Sequence, residues 1–253
     1  MRSPAATLPW LKPGDPFPSH DRAWGPGSEA PGLLAAGGAL DVPTLLAAYR
    51  QGIFPWFNDG QPTLWWCPGP RMVLRVQDFR LHRSLRKTLQ RFVADPSCEV
   101  RFDSAFVDVI RACAGRDATW IGPGMIDAYT ALHHAGHAHS VETWRNGELV
   151  GGLYLISIGQ AVFGESMFTR QTDASKIALA GLIAFCRAQD LPWVDCQMNT
   201  GHLASMGAAE MPRDAFVQMA AQASQQPAPG WRFQPLYWTQ LLSPSPTASR
   251  SRL

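Results

Sequence analysis

The sequence is short of charge, of paired cysteines and of long apolar runs. Charged residues make up 17% of 253 positions and the formal net charge is only +2. A uniformly basic surface is therefore excluded, and any nucleic acid would have to bind a local patch. The five cysteines, at 67, 98, 113, 186 and 196, show no CxxC spacing. That argues against a disulfide framework or a zinc cluster and suits a reducing compartment. No apolar run approaches the ~18 residues a membrane span requires. The first residues bring early prolines, Lys12 and Asp15 and no apolar h-region, so no signal peptide is expected and the default location is cytoplasmic. No GxxxxGK[ST] and no GxGxxG occurs, so neither a nucleoside triphosphate nor a dinucleotide is indicated, and Ser166 lacks the GxSxG elbow of a serine hydrolase.

What is present is a globular composition. Hydrophobic residues reach 46%, with ten Trp, 22 Gly and 21 Pro, which supports a sizeable core in one large domain or a medium and a small one. Residues 1–40, rich in Pro and Gly, read as an extended arm. Asp41 to Gln51 reads as a helix with Asp41 as N-cap, Pro43 in its first turn and Gly52 beyond its end. The aromatic block from Gly52 to Arg71, broken by Pro55, Pro62, Pro68 and Pro70, reads as too irregular for a regular element. From Arg71 onward the pattern predicts a strand from Met72 to Val76, a helix from Leu81 to Phe92, a helix from Asp103 to Ala114 capped by Asp103, and a helix from Met125 to Ala135 closed by Gly136. A meander follows: Ser140 to Trp144, an Asn146-Gly147 hairpin turn, Leu149 to Ile158, a Gly159-Gln160 turn, and Ala161 to Glu165. Then come a capped helix from Ser175 to Ala188, a strand from Trp193 to Gln197 and a helix from Arg213 to Ala223. The expected class is α+β with a mixed sheet. The expected organisation is a small N-terminal domain over 1–70, a catalytic domain over 71–242 and a disordered tail over 243–253 rich in Ser, Pro and Arg.

Three features bear on chemistry. First, Glu165 within Gly164-Glu165-Ser166-Met167-Phe168, and Asp195 and Gln197 within Asp195-Cys196-Gln197-Met198, interrupt apolar strand patterns. A buried carboxylate costs several kcal/mol unless it is paired or used. Strand alternation places Asp195 and Gln197 on one face, giving an anionic acceptor and an amide about one pleat apart. Such a pair could hold an amine and an acyl group together, or serve only as a structural hydrogen-bond pair. Second, Arg83, Arg86, Lys87 and Arg91 form a stripe at i, i+3 and i, i+4 spacing with no acid between Leu81 and Val93. It reads either as a solvated face or as a phosphate-binding surface. Third, Trp56 and Trp120 stand in Pro/Gly-rich contexts where they could stack a base or simply join the core. The histidines at 133, 134, 137 and 139 straddle a helix end and a strand start without a completing carboxylate or thiol, so no metal is expected.

Taken together, the chain resembles the bacterial leucyl/phenylalanyl-tRNA–protein transferase family. The resemblance is carried, over about residues 30–215, by Ala48-Tyr49-Arg50-Gln51-Gly52-Ile53-Phe54-Pro55-Trp56-Phe57, Leu64-Trp65-Trp66-Cys67-Pro68, Thr119-Trp120-Ile121, Gly136-His137-Ala138-His139-Ser140-Val141-Glu142, Gly164 to Phe168, Ala174-Ser175-Lys176, Asp195-Cys196-Gln197 and His202 to Ala208. It implies a small N-terminal domain joined to a GCN5-related acetyltransferase-like domain. It implies transfer of Leu or Phe, and less well Met, from aminoacyl-tRNA to proteins beginning with Arg or Lys, marking them for degradation, by a monomer without cofactor. It implies Asp195 and Gln197 as the catalytic pair, and Tyr49, Trp56 and Trp120 around the terminal adenosine. Glu165 and Ser166 fall in the same site. Leu153, Val162, Met167, Leu182, Cys186 and Val194 form the pocket for the aminoacyl side chain. Leu153 and Val162 are aliphatic where the family pattern carries Met and Phe, and Ile121-Gly122-Pro123-Gly124 is unusually Gly-rich, which bears on the pocket's shape.

An aminoacyl ester is already activated, so an amine can attack it without ATP or metal, in keeping with the missing P-loop. Two other classes stay open. One is an acyltransferase using acetyl-CoA or building peptidoglycan cross-bridges, although Met167-Phe168-Thr169-Arg170-Gln171-Thr172 lacks a Gly-rich pyrophosphate loop. The other is a tRNA-binding module without chemistry, which would not need Asp195 and Gln197.

Overall fold

The structure is a computed structural model that describes residues 7–115 and 119–243. The tail expected to be disordered falls, beyond Ser243, outside the described residues. The N-terminal part forms a four-stranded sheet in the order β1 (Trp10–Leu11), β2 (Leu33–Gly37), β4 (Leu64–Trp66), β3 (Phe54–Pro55), with helix α1 (Val42–Arg50) between β2 and β3. Two expectations are corrected here. The supposed extended arm supplies β2, a central strand whose Leu33, Leu34, Ala35 and Ala36 are buried. The Pro-broken aromatic block supplies β3 and β4, because two or three residues suffice to pair and Pro55 lies in β3 at the edge of the sheet. Helix α1 begins as expected, with the Asp41 carboxylate accepting from Thr44 N–H at 2.9 Å.

The remainder builds a seven-stranded sheet in the order β11 (Ala209–Met211), β5 (Arg71–Arg75), β10 (Trp193–Gln197), β9 (Ala161–Thr169), β8 (Glu148–Ile158), β7 (Ala138–Arg145), β6 (Cys98–Phe102). Every pairing is antiparallel except β9 with β10. The sheet is mixed, as expected for an α+β chain. Helices α2 (Arg83–Ala94), α3 (Phe106–Ala114), α4 (Pro123–His134), α5 (Ala174–Ala188), α6 (Gly201–Ser205), α7 (Arg213–Ala223) and α8 (Thr239–Leu242) complete it.

Strand β8 shows why the sheet sits between two cores. Tyr154, Ile156 and Ile158 face one, with α1, α3, α4 and α7, while Leu153 and Leu155 face the other, with α2 and α5. Helix α5 is buried along most of its length, and it approaches β8 so closely that a Cβ on Gly151 would lie 2.5 Å from that of Ala174. The Asn146-Gly147 turn has both residues at positive φ, 52° and 75°, as the hairpin signal predicts.

Several local expectations give way. Helix α3 starts at Phe106 and is not capped by Asp103. Asp103 sits at φ 58° and accepts instead from Ser140 N–H and the His139 ring. Helix α5 starts at Ala174 without a side-chain cap, since Asp173 pairs with Lys176. Strand β6, α6 and β11 were not anticipated.

Candidate active site

The polar residues singled out in the sequence meet where the parallel strands β9 and β10 part. The two strands are in register at one position, Asp195 opposite Phe163. Just beyond it each carries an irregularity. In β9, Tyr154 of β8 faces Ser166 while Leu155 faces Gly164, which leaves Glu165 as the extra residue. In β10, Val73 faces Asp195 while Met72 faces Gln197, which leaves Cys196 extra and puts Gln197 at φ 60°. Bulges re-aim side chains and end pairing. Simple alternation therefore does not govern Asp195 and Gln197: the bulge brings them together through the backbone, with Gln197 N–H donating to Asp195 Oδ1 at 2.9 Å.

From there a hydrogen-bonded chain runs across the site. Gln197 Nε2 donates to Glu165 Oε1 at 3.1 Å, and Tyr49 Oη donates to the same oxygen at 2.7 Å. The Tyr129 hydroxyl lies 2.5 Å from that of Tyr49 and donates to Glu165 Oε2 at 3.4 Å. On the other side Asp195, fully buried, is held by Arg71, also fully buried, through Nε–Oδ1 at 2.8 Å and Nη2–Oδ2 at 2.6 Å.

Charge is scarce in this environment, and titration behaviour follows. Burial raises the Glu165 carboxyl to about 8. The nearby Asp195 charge adds to the rise, while the Tyr49 and Gln197 hydrogen bonds and the Arg71 charge oppose it. Burial, then the Glu165 charge, push the Tyr49 and Tyr129 phenols well above their ordinary values. Burial works to lower Arg71, but the Asp195 charge and hydrogen bonds outweigh it and leave the guanidinium above its usual range.

Beside this chain opens a cavity of about 330 Å³. Of the residues expected at the site, Leu153, Met167, Leu182 and Val194 give it apolar walls, and Trp120, Glu165, Ser166 and Asp195 also line it. Val162 and Cys186 do not reach it: both are fully buried behind the wall, and burial raises the Cys186 thiol well above its usual value. Trp56 does not line it either; it packs on Trp66 at 5.3 Å, and Trp66 Nε1 donates to the Trp56 carbonyl. Arg83, Arg86, Lys87 and Arg91 lie on α2, whose buried face is Leu85, Leu89 and Phe92. Arg83, Lys87 and Arg91 are exposed, Arg86 is half-buried, and none makes an ion pair among the described residues.

The sequence reading missed Leu179, Cys196, Thr200, His202 and Leu203 on the cavity wall, and Arg71 and Tyr129 behind it. Arg71 had a partial signal: a carboxylate in a buried strand needs a cation nearby, but this Arg opens β5, whose pairing with β10 the sequence does not announce. Among the described residues no group of three or more His, Cys, Asp or Glu is placed to hold a metal. His139 instead donates to Asp103 and stacks on Trp231. No helix there is long and apolar enough to cross a membrane.

Comparison with known proteins bears on what the site does. Residues 38–69 match the family model described as the leucyl/phenylalanyl-tRNA protein transferase N-terminal domain, and residues 73–221 match that described as leucyl/phenylalanyl-tRNA protein transferase. Relatives of that name are 59% identical over 241 residues in Polaromonas sp., covering 93% of this chain and 94% of theirs, and 56% identical over 249 residues in Albidiferax ferrireducens, covering 96% and 98%. Among solved structures, a GCN5-related N-acetyltransferase-like protein from Streptococcus suis is similar at 12% identity and TM-score 0.33, over 67% of this chain and 63% of that one; it is too distant to add to the topology described above. On the family matches and the near full-length identities, the chain belongs to the leucyl/phenylalanyl-tRNA protein transferase family of aminoacyltransferases.

Proposed function

We propose that the enzyme moves Leu or Phe, and less well Met, from aminoacyl-tRNA to the N-terminal amine of proteins that begin with Arg or Lys, marking them for degradation. The observation that carries this reading is a largely apolar cavity of about 330 Å³ lined by the carboxyls of Glu165 and Asp195, with the half-buried Gln197 amide hydrogen-bonded to Glu165 beside it. The aminoacyl side chain fills the apolar end, between Leu153, Met167, Leu182 and Val194. Trp120 on the cavity wall supports a stacking role against the terminal adenosine; Tyr49, fully buried with its hydroxyl on Glu165, supports the site from behind, and Trp56, set off from the cavity against Trp66, would meet the adenosine only beyond the cavity.

In the transfer step the acceptor amine attacks the ester carbonyl carbon. A C–N bond forms, the bond from that carbon to the tRNA 3′-oxygen breaks, and the amine gives up a proton. Holding the amine and ester together is the largest requirement, since oriented reactants are worth on the order of 10⁵–10⁸ M in effective concentration. The Gln197 amide, with Nε2 engaged by Glu165, has its carbonyl oxygen to accept from the amine. Asp195 orients Gln197: its Oδ1 and Oδ2 already accept from Arg71, and Oδ1 from Gln197 N–H. The proton goes to Glu165 in its ionised form, which a carboxyl raised to about 8 supplies as the pH approaches that value. The departing 3′-oxygen takes a proton from water or from the neighbouring 2′-hydroxyl.

The test is direct. The enzyme is incubated with Leu-tRNA and a peptide starting with Arg, and the peptide is weighed. A product heavier by one leucine is expected, and an unchanged peptide with intact Leu-tRNA would overturn the reading.

A further inference from the structure

Arg71 touches no reacting group in the steps above, yet it is a costly side chain to bury near the site. It is fully buried, and its Nη1 has no hydrogen-bond partner among the described residues. Replacing a buried ion pair by apolar groups is often neutral or stabilising, so such a pair is weak evidence for stability and invites another explanation. Its surroundings are built to fix orientation. The guanidinium carbon lies 4.8 Å from the ring centroid of Phe54 in β3 and 4.5 Å from that of Phe216 in α7. Those two rings leave the Arg71 plane little freedom, and the planar fork engages both Asp195 oxygens. Asp195 Oδ1 then accepts from Gln197 N–H inside the β10 bulge, where Gln197 adopts a left-handed φ that a non-glycine residue rarely takes without support. The order of contacts is thus Phe54 and Phe216, Arg71, Asp195, Gln197, Glu165.

We propose that Arg71 is a positioning residue for aminoacyl transfer, acting through Asp195 to hold the β10 bulge so that the Gln197 amide faces the acceptor amine. This rests on the transfer reading given above. A small displacement of an oriented group can cost a hundredfold in rate while leaving substrate binding alone. The signature therefore lies in kcat and not in KM for aminoacyl-tRNA. Lysine at this position keeps the charge but not the fork.

The experiment is a double-mutant cycle with Arg71→Lys, Asp195→Asn and the double variant, measuring kcat and KM for Leu-tRNA with an Arg-peptide acceptor, beside thermal unfolding of each protein. Arg71→Lys is expected to lower kcat by about ten- to a hundredfold with KM for Leu-tRNA unchanged. In the Asp195→Asn background the same substitution is expected to cause little further loss. Should Arg71→Lys fail to fold, Arg71→Gln combined with Asp195→Asn, a neutral hydrogen-bonded pair, is compared with Asp195→Asn alone; an equal kcat is expected, and a further multiplicative loss would overturn the assignment. Wild-type kcat in Arg71→Lys, losses that multiply in the double variant, or a rise in KM at constant kcat would each overturn the assignment. In those cases the wild-type enzyme still transfers leucine. A wild-type enzyme that transfers none would overturn the transfer reading itself, and this inference with it.

Discussion

Glu165 concentrates the energetic tension of the site in one side chain. Its carboxyl is pushed to about 8 by burial and by the Asp195 charge, against an ordinary value near 4.5. The folded state thus binds a proton that the unfolded chain has released. Stability contributed by this proton is fully present below about 4.5 and is lost as the pH rises toward about 8. We expect Glu165→Gln to remove that slope, so that its stability gains on wild type by up to a few kcal/mol as the pH goes from 5 to 8 in urea titrations. Parallel stability curves would show that the carboxyl is ionised at ordinary cost. Asp195 is held by an ion pair instead. Asp195→Ala leaves the Arg71 charge buried without a partner and should cost about 3–5 kcal/mol, on top of a transfer rate lowered about 10²-fold. A variant as stable as wild type would mean that the pair is not desolvated. At this scale the sequence was informative wherever a polar residue broke an apolar strand, as at Asp195, Gln197 and Glu165. It was silent about Tyr129 and Leu179, whose spacing is that of ordinary core residues. Their role comes from the contact of α4 and α5 with strands far away in the chain.

Elements were legible in proportion to how locally they are determined. The hairpin at Asn146-Gly147, α7 and the Asp41 cap follow from neighbouring residues alone. Strand β6 does not: in Cys98-Glu99-Val100-Arg101-Phe102 Glu99 and Arg101 point away from the core, and the segment becomes a strand by pairing with β7. The start of α3 was misread because its cap comes from another element. The buried Glu142 of β7 accepts from Ala105 N–H at 2.8 Å, Ser140 Oγ at 2.7 Å and Trp144 Nε1 at 3.0 Å, and from Ser104 Oγ. Removing that carboxylate strands several buried donors, so Glu142→Ala should destabilise the protein by about 2–4 kcal/mol in denaturant unfolding. A loss within experimental error would show that the donors find other partners. The bulges at Glu165 and Cys196 defeat alternation for the same reason: nothing in a strand's own pattern announces an extra residue. Helix α2 presents Arg83, Lys87 and Arg91 to solvent, free of ion pairs among the described residues. If it tracks tRNA phosphates, each charge lost should lower the slope of log affinity against log salt by about 0.7–0.9. Reversing Arg83, Arg86 and Lys87 with no change in slope would make it a solvated face.

For the molecule as a whole, the sheet sets two cores back to back and opens a cavity where the parallel strands part, and the proposed function places chemistry and specificity together in that cavity. The class of fold and part of the cavity lining were readable from the sequence, such as Glu165, Asp195 and Met167; the splay of β9 from β10 and the wall given by Leu179 of α5 and by α6 were not, because they depend on strand order and on distant contacts. The walls proposed to face the aminoacyl group are largely apolar, and Val162 and Cys186 stand behind them rather than lining the cavity. Selectivity by shape amounts to about 1–3 kcal/mol per methyl group, so Leu-tRNA should outcompete Ile-tRNA for an Arg-peptide by roughly ten- to two-hundredfold, and equal transfer would move selectivity to the tRNA. The central claim is that the amide at the end of β10 works in the transfer step and not in holding tRNA. Single-turnover transfer of leucine from Leu-tRNA to an Arg-peptide, measured for wild type and Gln197→Ala alongside the dissociation constant for Leu-tRNA, tests it most directly. The account predicts a rate about 10² lower at an unchanged dissociation constant. A wild-type rate in the folded variant, or a loss that lies wholly in tRNA binding, would contradict it.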